Sequence, residues 1–154
     1  MKGQAMAMSR AFLLAFAASA SATAIVSSGE VLIAGRQTPA ASVFTVQQAT
    51  AGKAGYAKHC ASCHMPDLSG NGEISALAGP TYMETWGPRT TKQFLDYISA
   101  AMPYGAPSLT TEAYTEITAY ILQSNGAVAG ESPLSATTVE PIGGLMSSAP
   151  PAGP

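Results

Sequence analysis

Ionised side chains are scarce in this chain: its 154 residues include seven Lys plus Arg and nine Asp plus Glu, 10% in all. So little charge argues against a disordered chain, and a net charge of -2 provides no basic footprint for nucleic acid. Cysteine is scarcer still. Cys60 and Cys63 are the two present, and a bridge between thiols three positions apart closes too small a loop to add much stability. Histidine is limited to His59 and His64. No stretch alternates apolar and polar residues between turn signals, and no internal repeat is present, so the chain reads as all-α.

The amino terminus has the form of an export signal. Lys2 and Arg10 precede a short apolar run, Ala11 to Ala18, and small-residue cleavage patterns follow at Ala18-Ser19-Ala20, Ala20-Ser21-Ala22 and Ala22-Thr23-Ala24. Residues 1–24 are therefore expected to be a signal peptide that delivers the chain to the periplasm. An uncleaved anchor holding it at the membrane is the alternative, because apolar character persists through Ile25 and Val26. A spanning helix needs about 20 predominantly apolar residues, and Ser and Thr dilute this stretch. Residues 25–44 read as a linker, with Gly35 and Pro39, and residues 127–154 as a flexible tail rich in Pro, Ala, Gly and Ser. Residues 45–126 remain as the compact domain, small enough that an apolar core alone is marginal and a cofactor or covalent staple is commonly needed.

Each of three helices carries its own start signal. Thr45 with Gln48 opens the first, which aligns Ala49, Gly52, Tyr56 and Cys60. Thr90 with Gln93 opens the second, which places Phe94, Leu95, Ile98 and Ala101 on one face and stops at Pro103. Thr110 or Thr111 opens the third, whose Tyr114, Ile117, Tyr120 and Ile121 precede a stop at Asn125-Gly126.

The chemistry is concentrated in KHCASCHMPD, residues 58–67. Zinc needs four tetrahedral ligands, and His59-Cys60 and Cys63-His64 are adjacent pairs that converge poorly on one ion. A thioredoxin-like dithiol expects a βαβ setting, which a helical pattern lacks. Cys60-Ala61-Ser62-Cys63-His64 instead matches the C-x-x-C-H haem attachment motif. Two thiols one helical turn apart can capture the two vinyl groups of one haem, and His64 then projects under the ring as the proximal iron ligand. His59 is expected to face solvent. For the sixth iron position Met65 is too close to His64 and Met146 lies in the tail. Met102, at the end of the second helix, is the favoured ligand; Met83 is the alternative, and Met102 as core filler is the bland reading. His plus Met fills both axial positions and raises the reduction potential.

Residues 45–126 resemble the class I c-type cytochromes, specifically small bacterial mono-haem ones. The resemblance rests on GKAGYAKHCASCH, on LAGP, and on AAMPYGAPSLTTEAYTEITAYILQSNG. It implies a cytochrome c fold with three main helices around one covalently attached haem c. It also implies a helix crossing at Gly52 and Tyr56 against Tyr114, Tyr120 or both. Pro80 would accept a hydrogen bond from the proximal His through its carbonyl, and Trp86 and Arg89 would be haem propionate partners. The MPYGAPSL loop and the tail look more like cytochrome domains that accompany quinoprotein dehydrogenases than like mitochondrial cytochrome c. The implied role is a one-electron carrier, not an enzyme, with redox proteins as partners: a dehydrogenase donor and an oxidase or other acceptor. A haem subunit of a dehydrogenase complex is the nearest alternative, and a haem peroxidase or gas-binding protein a more distant one. Acidic residues outnumber basic ones from Thr45 to Gly126, so docking is expected to rest on an apolar patch around the haem edge.

Overall fold

A computed structural model describes residues 42–146; the expected export segment lies outside them. The order is α1 (Val46–His59), α2 (Ala61–His64), α3 (Pro80–Trp86), α4 (Thr91–Ala101), α5 (Thr111–Ser124) and α6 (Ile142–Leu145). No sheet forms among the described residues, only isolated bridges between Thr90 and Pro141 and between Ala127 and Met146. None of the described helices is long and apolar enough to cross a membrane.

The three expected helices start where their capping residues place them. Thr45 Oγ1 accepts from the Gln48 amide at 3.2 Å while Gln48 Oε1 accepts from the Thr45 amide at 3.3 Å, and Thr90 and Gln93 repeat this reciprocal pair. Thr110 Oγ1 accepts from the Ala113 amide at 3.2 Å. The shorter α3 has no side-chain cap. It begins at Pro80 after Gly79, whose φ of 84 suits glycine, and the proline ring pre-sets the first helical dihedral.

The core is organised by the packing of α1 on α5. Gly52 permits the contact, because a Cβ there would run into the Glu116 carbonyl of α5. One turn on, the rings of Tyr56 and Tyr120 meet with centroids 5.4 Å apart. Phe94 of α4 lies nearly perpendicular to two α3 rings, Tyr82 at 5.6 Å and Trp86 at 4.7 Å between centroids. Edge-to-face packing of this kind suits the aromatic quadrupole.

Both domain boundaries move outward from their expected positions. Val43 and Phe44, assigned to the linker, are buried, and the Phe44 carbonyl accepts from the Gly130 amide at 2.8 Å. Part of the expected flexible tail, residues 127–146, is an integral strap. Its Leu134, Ile142 and Leu145 are buried. The Leu134 amide and carbonyl both bond the Gln48 side chain at 2.8 Å. The Thr91 amide donates to the Glu140 carbonyl, and the Ile142 and Gly143 amides donate to Arg89 and Gly87. Composition misleads here because three well-spaced apolar residues, backed by main-chain bonds to the ends of α3 and α4, suffice to dock a segment that has almost no helix of its own.

Ile142 is fully buried, so Ile142→Ala is expected to remove about 2–5 kcal/mol of stability. Urea denaturation of the haem-loaded protein measures this. A change within about 0.5 kcal/mol, as expected of a surface position, would show that the strap stands outside the cooperative unit.

Candidate functional site

The cysteine motif sits where α1 gives way to α2. Cys60 breaks the first helix with φ -123 and ψ -36, and its carbonyl then accepts from the amides of Cys63 and His64 at 3.1 and 3.0 Å. One tight turn thus separates the two thiols, and the imidazole follows directly. The cysteines are not bridged. Burial, and to a lesser degree Cys63, push the Cys60 thiol up to about 11, so it is protonated at neutral pH.

Cys60, Cys63 and His64 border a cavity of about 320 Å³. Trp86 of α3, Phe94 and Ile98 of α4, and Ile117 and Ile121 of α5 supply apolar walls, and Met102 and Pro103 close it from the end of α4. Met102 therefore shares the cavity with His64. Met83 is not among the lining residues and packs against the core from α3 instead. His59, expected to face solvent, is half-buried and borders the cavity.

His64 is oriented by a main-chain oxygen, although a different one from that expected. Its Nδ1 lies 2.8 Å from the Ser75 carbonyl, and Pro80 is outside the cavity lining as the first residue of α3. The reason is the path of residues 65–79. Met65 and Leu68 both take φ 65 and Gly70 takes φ 63, turning the chain back. The Gly70 amide then donates to the His64 carbonyl at 3.1 Å and the Leu77 amide to the Leu68 carbonyl at 2.8 Å. Gly70 has no substitute in this turn, since a Cβ would collide with the Ile74 carbonyl. With Nδ1–H donating to Ser75, the Nε2 lone pair is left for a metal, the arrangement by which metal-bound histidines are fixed in tautomer and made more basic.

Two polar side chains, one buried and one half-buried, hold that loop. The Tyr56 hydroxyl donates toward the carbonyls of His64 and Met65, at 3.2 and 2.6 Å. Desolvation raises its pKa far above the ordinary phenol value, so it remains a donor. Asn125, at the end of α5, accepts from the Gly79 amide and donates to the Leu77 carbonyl, both at 2.9 Å. The sequence marked Asn125 as a helix stop only; its second role depends on a contact 46 positions away.

The remaining expected residues divide. Trp86 lines the cavity, whereas Arg89 does not and stacks its guanidinium over the Trp86 ring, 4.8 Å from the centroid. Among the described residues no group of three or more His, Cys, Asp or Glu gathers as an ion site. The donor set fits a haem c: two thiols a turn apart, an imidazole with Nε2 free, a thioether on the same cavity, and apolar walls.

Residues 47–121 match the model of a family described as cytochrome c oxidase, cbb3-type, subunit III. No curated protein and no solved structure matches the chain.

Proposed function

Starting from a cytochrome c domain at residues 47–121, we propose that this protein is a mono-haem electron carrier. It takes one electron from a periplasmic or membrane-bound dehydrogenase or complex and passes it to a terminal acceptor. Cys60 and Cys63 would hold the haem through sulfur, with His64 and Met102 on the iron. The observation that carries the reading is the convergence of His64, oriented by Ser75, and Met102 on one apolar cavity.

Haem c supplies one-electron redox chemistry when bound. The chain's contribution is to hold both ligating side chains in place through a change of charge at iron. The Ser75 bond fixes the His64 ring, the aromatic and aliphatic walls would shield a bound haem from water, and with His64 and Met102 both on the iron no coordination site would remain for a substrate. This favours a carrier over a peroxidase or gas-binding protein. Export to the periplasm is supported by the pattern of residues 1–24.

A second reading, a resident haem subunit of a larger complex, is favoured by the family description, which names an oxidase subunit. The likeness to cytochromes that accompany quinoprotein dehydrogenases rests on MPYGAPSL followed by YTEITAYILQSNG and on the tail. Fractionating native membranes separates the readings: a carrier is recovered free in the soluble extract, and a subunit co-purifies with its complex.

The carrier reading is tested on protein made in a host that attaches haem. The wild type is expected to gain the mass of one haem, titrate reversibly with one electron, and show the weak long-wavelength absorption of thioether sulfur on ferric haem. Met102→Ala should lose that band, bind azide, and fall in potential by a sizeable part of the roughly 0.8 V range that axial ligands command. Bare polypeptide mass, or a wild type that binds azide readily and lacks the band, rejects the proposal.

A further inference from the structure

The loop that carries Met102 is tied at both ends to one phenol. Tyr114 is buried one turn into α5, on the face that lines the cavity. Its hydroxyl donates a short hydrogen bond to the Met102 carbonyl and faces the Leu109 amide at 3.5 Å. Between these points the loop has little else to hold it. Residues 104–108 are exposed, Gly105 has φ 80, and the turn is closed by the Ala106 amide on the Pro103 carbonyl at 3.0 Å. Met102 itself has left helical geometry, with φ -127 and ψ 145, so α4 does not fix its position beyond its own amide bond to Ile98.

We propose that Tyr114 is a positioning residue whose hydroxyl staples the 102–109 loop across the cavity and thereby holds the Met102 thioether in reach of the iron. The inference rests on Met102 being the ligand under the reading above. Tyr114 acts through the Met102 main chain and is tested by how readily an outside ligand replaces the sulfur. A phenol on α5 suits the task because α5 is anchored independently, by α1 at Gly52 and by Asn125 at its far end. The loop is thus tied to α5 as well as to the helix it leaves.

The test is Tyr114→Phe in haem-loaded protein, titrated with azide in the ferric state. Losing one such hydrogen bond is expected to raise azide affinity roughly threefold to tenfold, lower the reduction potential and weaken the sulfur band. Tyr82→Phe is the control. It also removes a buried phenol hydroxyl, one with no hydrogen-bond partner among the described residues and outside the cavity lining, and it should leave azide affinity at the wild-type value. The staple is rejected if Tyr114→Phe binds azide like the wild type, or if both variants shift equally, which would report general loosening. A wild type that lacks the sulfur band rejects the Met102 assignment itself, and the two failures are thereby distinguishable.

Discussion

The double variant Cys60→Ala/Cys63→Ala is expected to lose its haem and, with it, its cooperative fold. The cavity those thiols border measures about 320 Å³ and is walled by side chains from α3, α4 and α5. At about 24 cal/mol per Å³, a void of that size would cost up to about 8 kcal/mol. Water entering through the mouth makes this an upper bound. Whole-domain stability is about 5–15 kcal/mol, so a penalty approaching that bound is comparable to the whole. The three main helices keep their N-caps, but capping alone does not hold short helices together in water. Circular dichroism with urea denaturation reads the outcome: reduced helicity and no sigmoidal transition. A cooperative transition near the wild-type midpoint, with haem held through His64 and Met102 or without haem, would show that the thioether bonds are not needed for folding.

The second large effect concerns Gly52, where two physical rules predict opposite signs. Helix propensity alone makes Gly→Ala in mid-helix stabilising by about 1 kcal/mol. Contact makes it destabilising, because the new Cβ would occupy the position of the Glu116 carbonyl, and a main-chain oxygen inside α5 cannot swing aside. Overpacking of a core costs about 1–3 kcal/mol and occasionally more. Here the whole helix pair must separate, so Gly52→Ala is expected to lose about 3 kcal/mol net, a fall in thermal midpoint of roughly 12–24 °C. Because α1 carries Cys60, a shift of α1 also displaces the attachment motif. A raised midpoint would show that α1 and α5 approach less closely than this.

What the sequence made legible follows from the range of the interactions involved. Thr45/Gln48, Thr90/Gln93 and Thr110 act within one turn, and all three helices begin at those residues. At the crossing Tyr56 meets Tyr120, one of the two tyrosines the resemblance implied, while Gly52 packs on the Glu116 main chain, which it did not specify, and Tyr114 bonds the Met102 loop. Cys60, Cys63 and His64 are local in the chain, and Met102 stands directly before the helix stop at Pro103, so these cavity-lining side chains could be read directly. Ser75 could not. It acts through its backbone oxygen, which every residue possesses, and its placement depends on the left-handed turns at Met65, Leu68 and Gly70. The same holds for α3, too short to show a period, and for the packing of Leu134, Ile142 and Leu145, which lie far along the chain from the helices they cover.

That last packing determines where the gene can be divided. A fragment stopped at Gly126, the point composition suggests, would leave the ends of α3 and α4 with bare amides and carbonyls and open the grease beneath them to solvent. One carried through to Met146 retains all of it. Grafting this module onto another protein should therefore be planned with the junction past Met146, and assays on anything shorter would measure a damaged object.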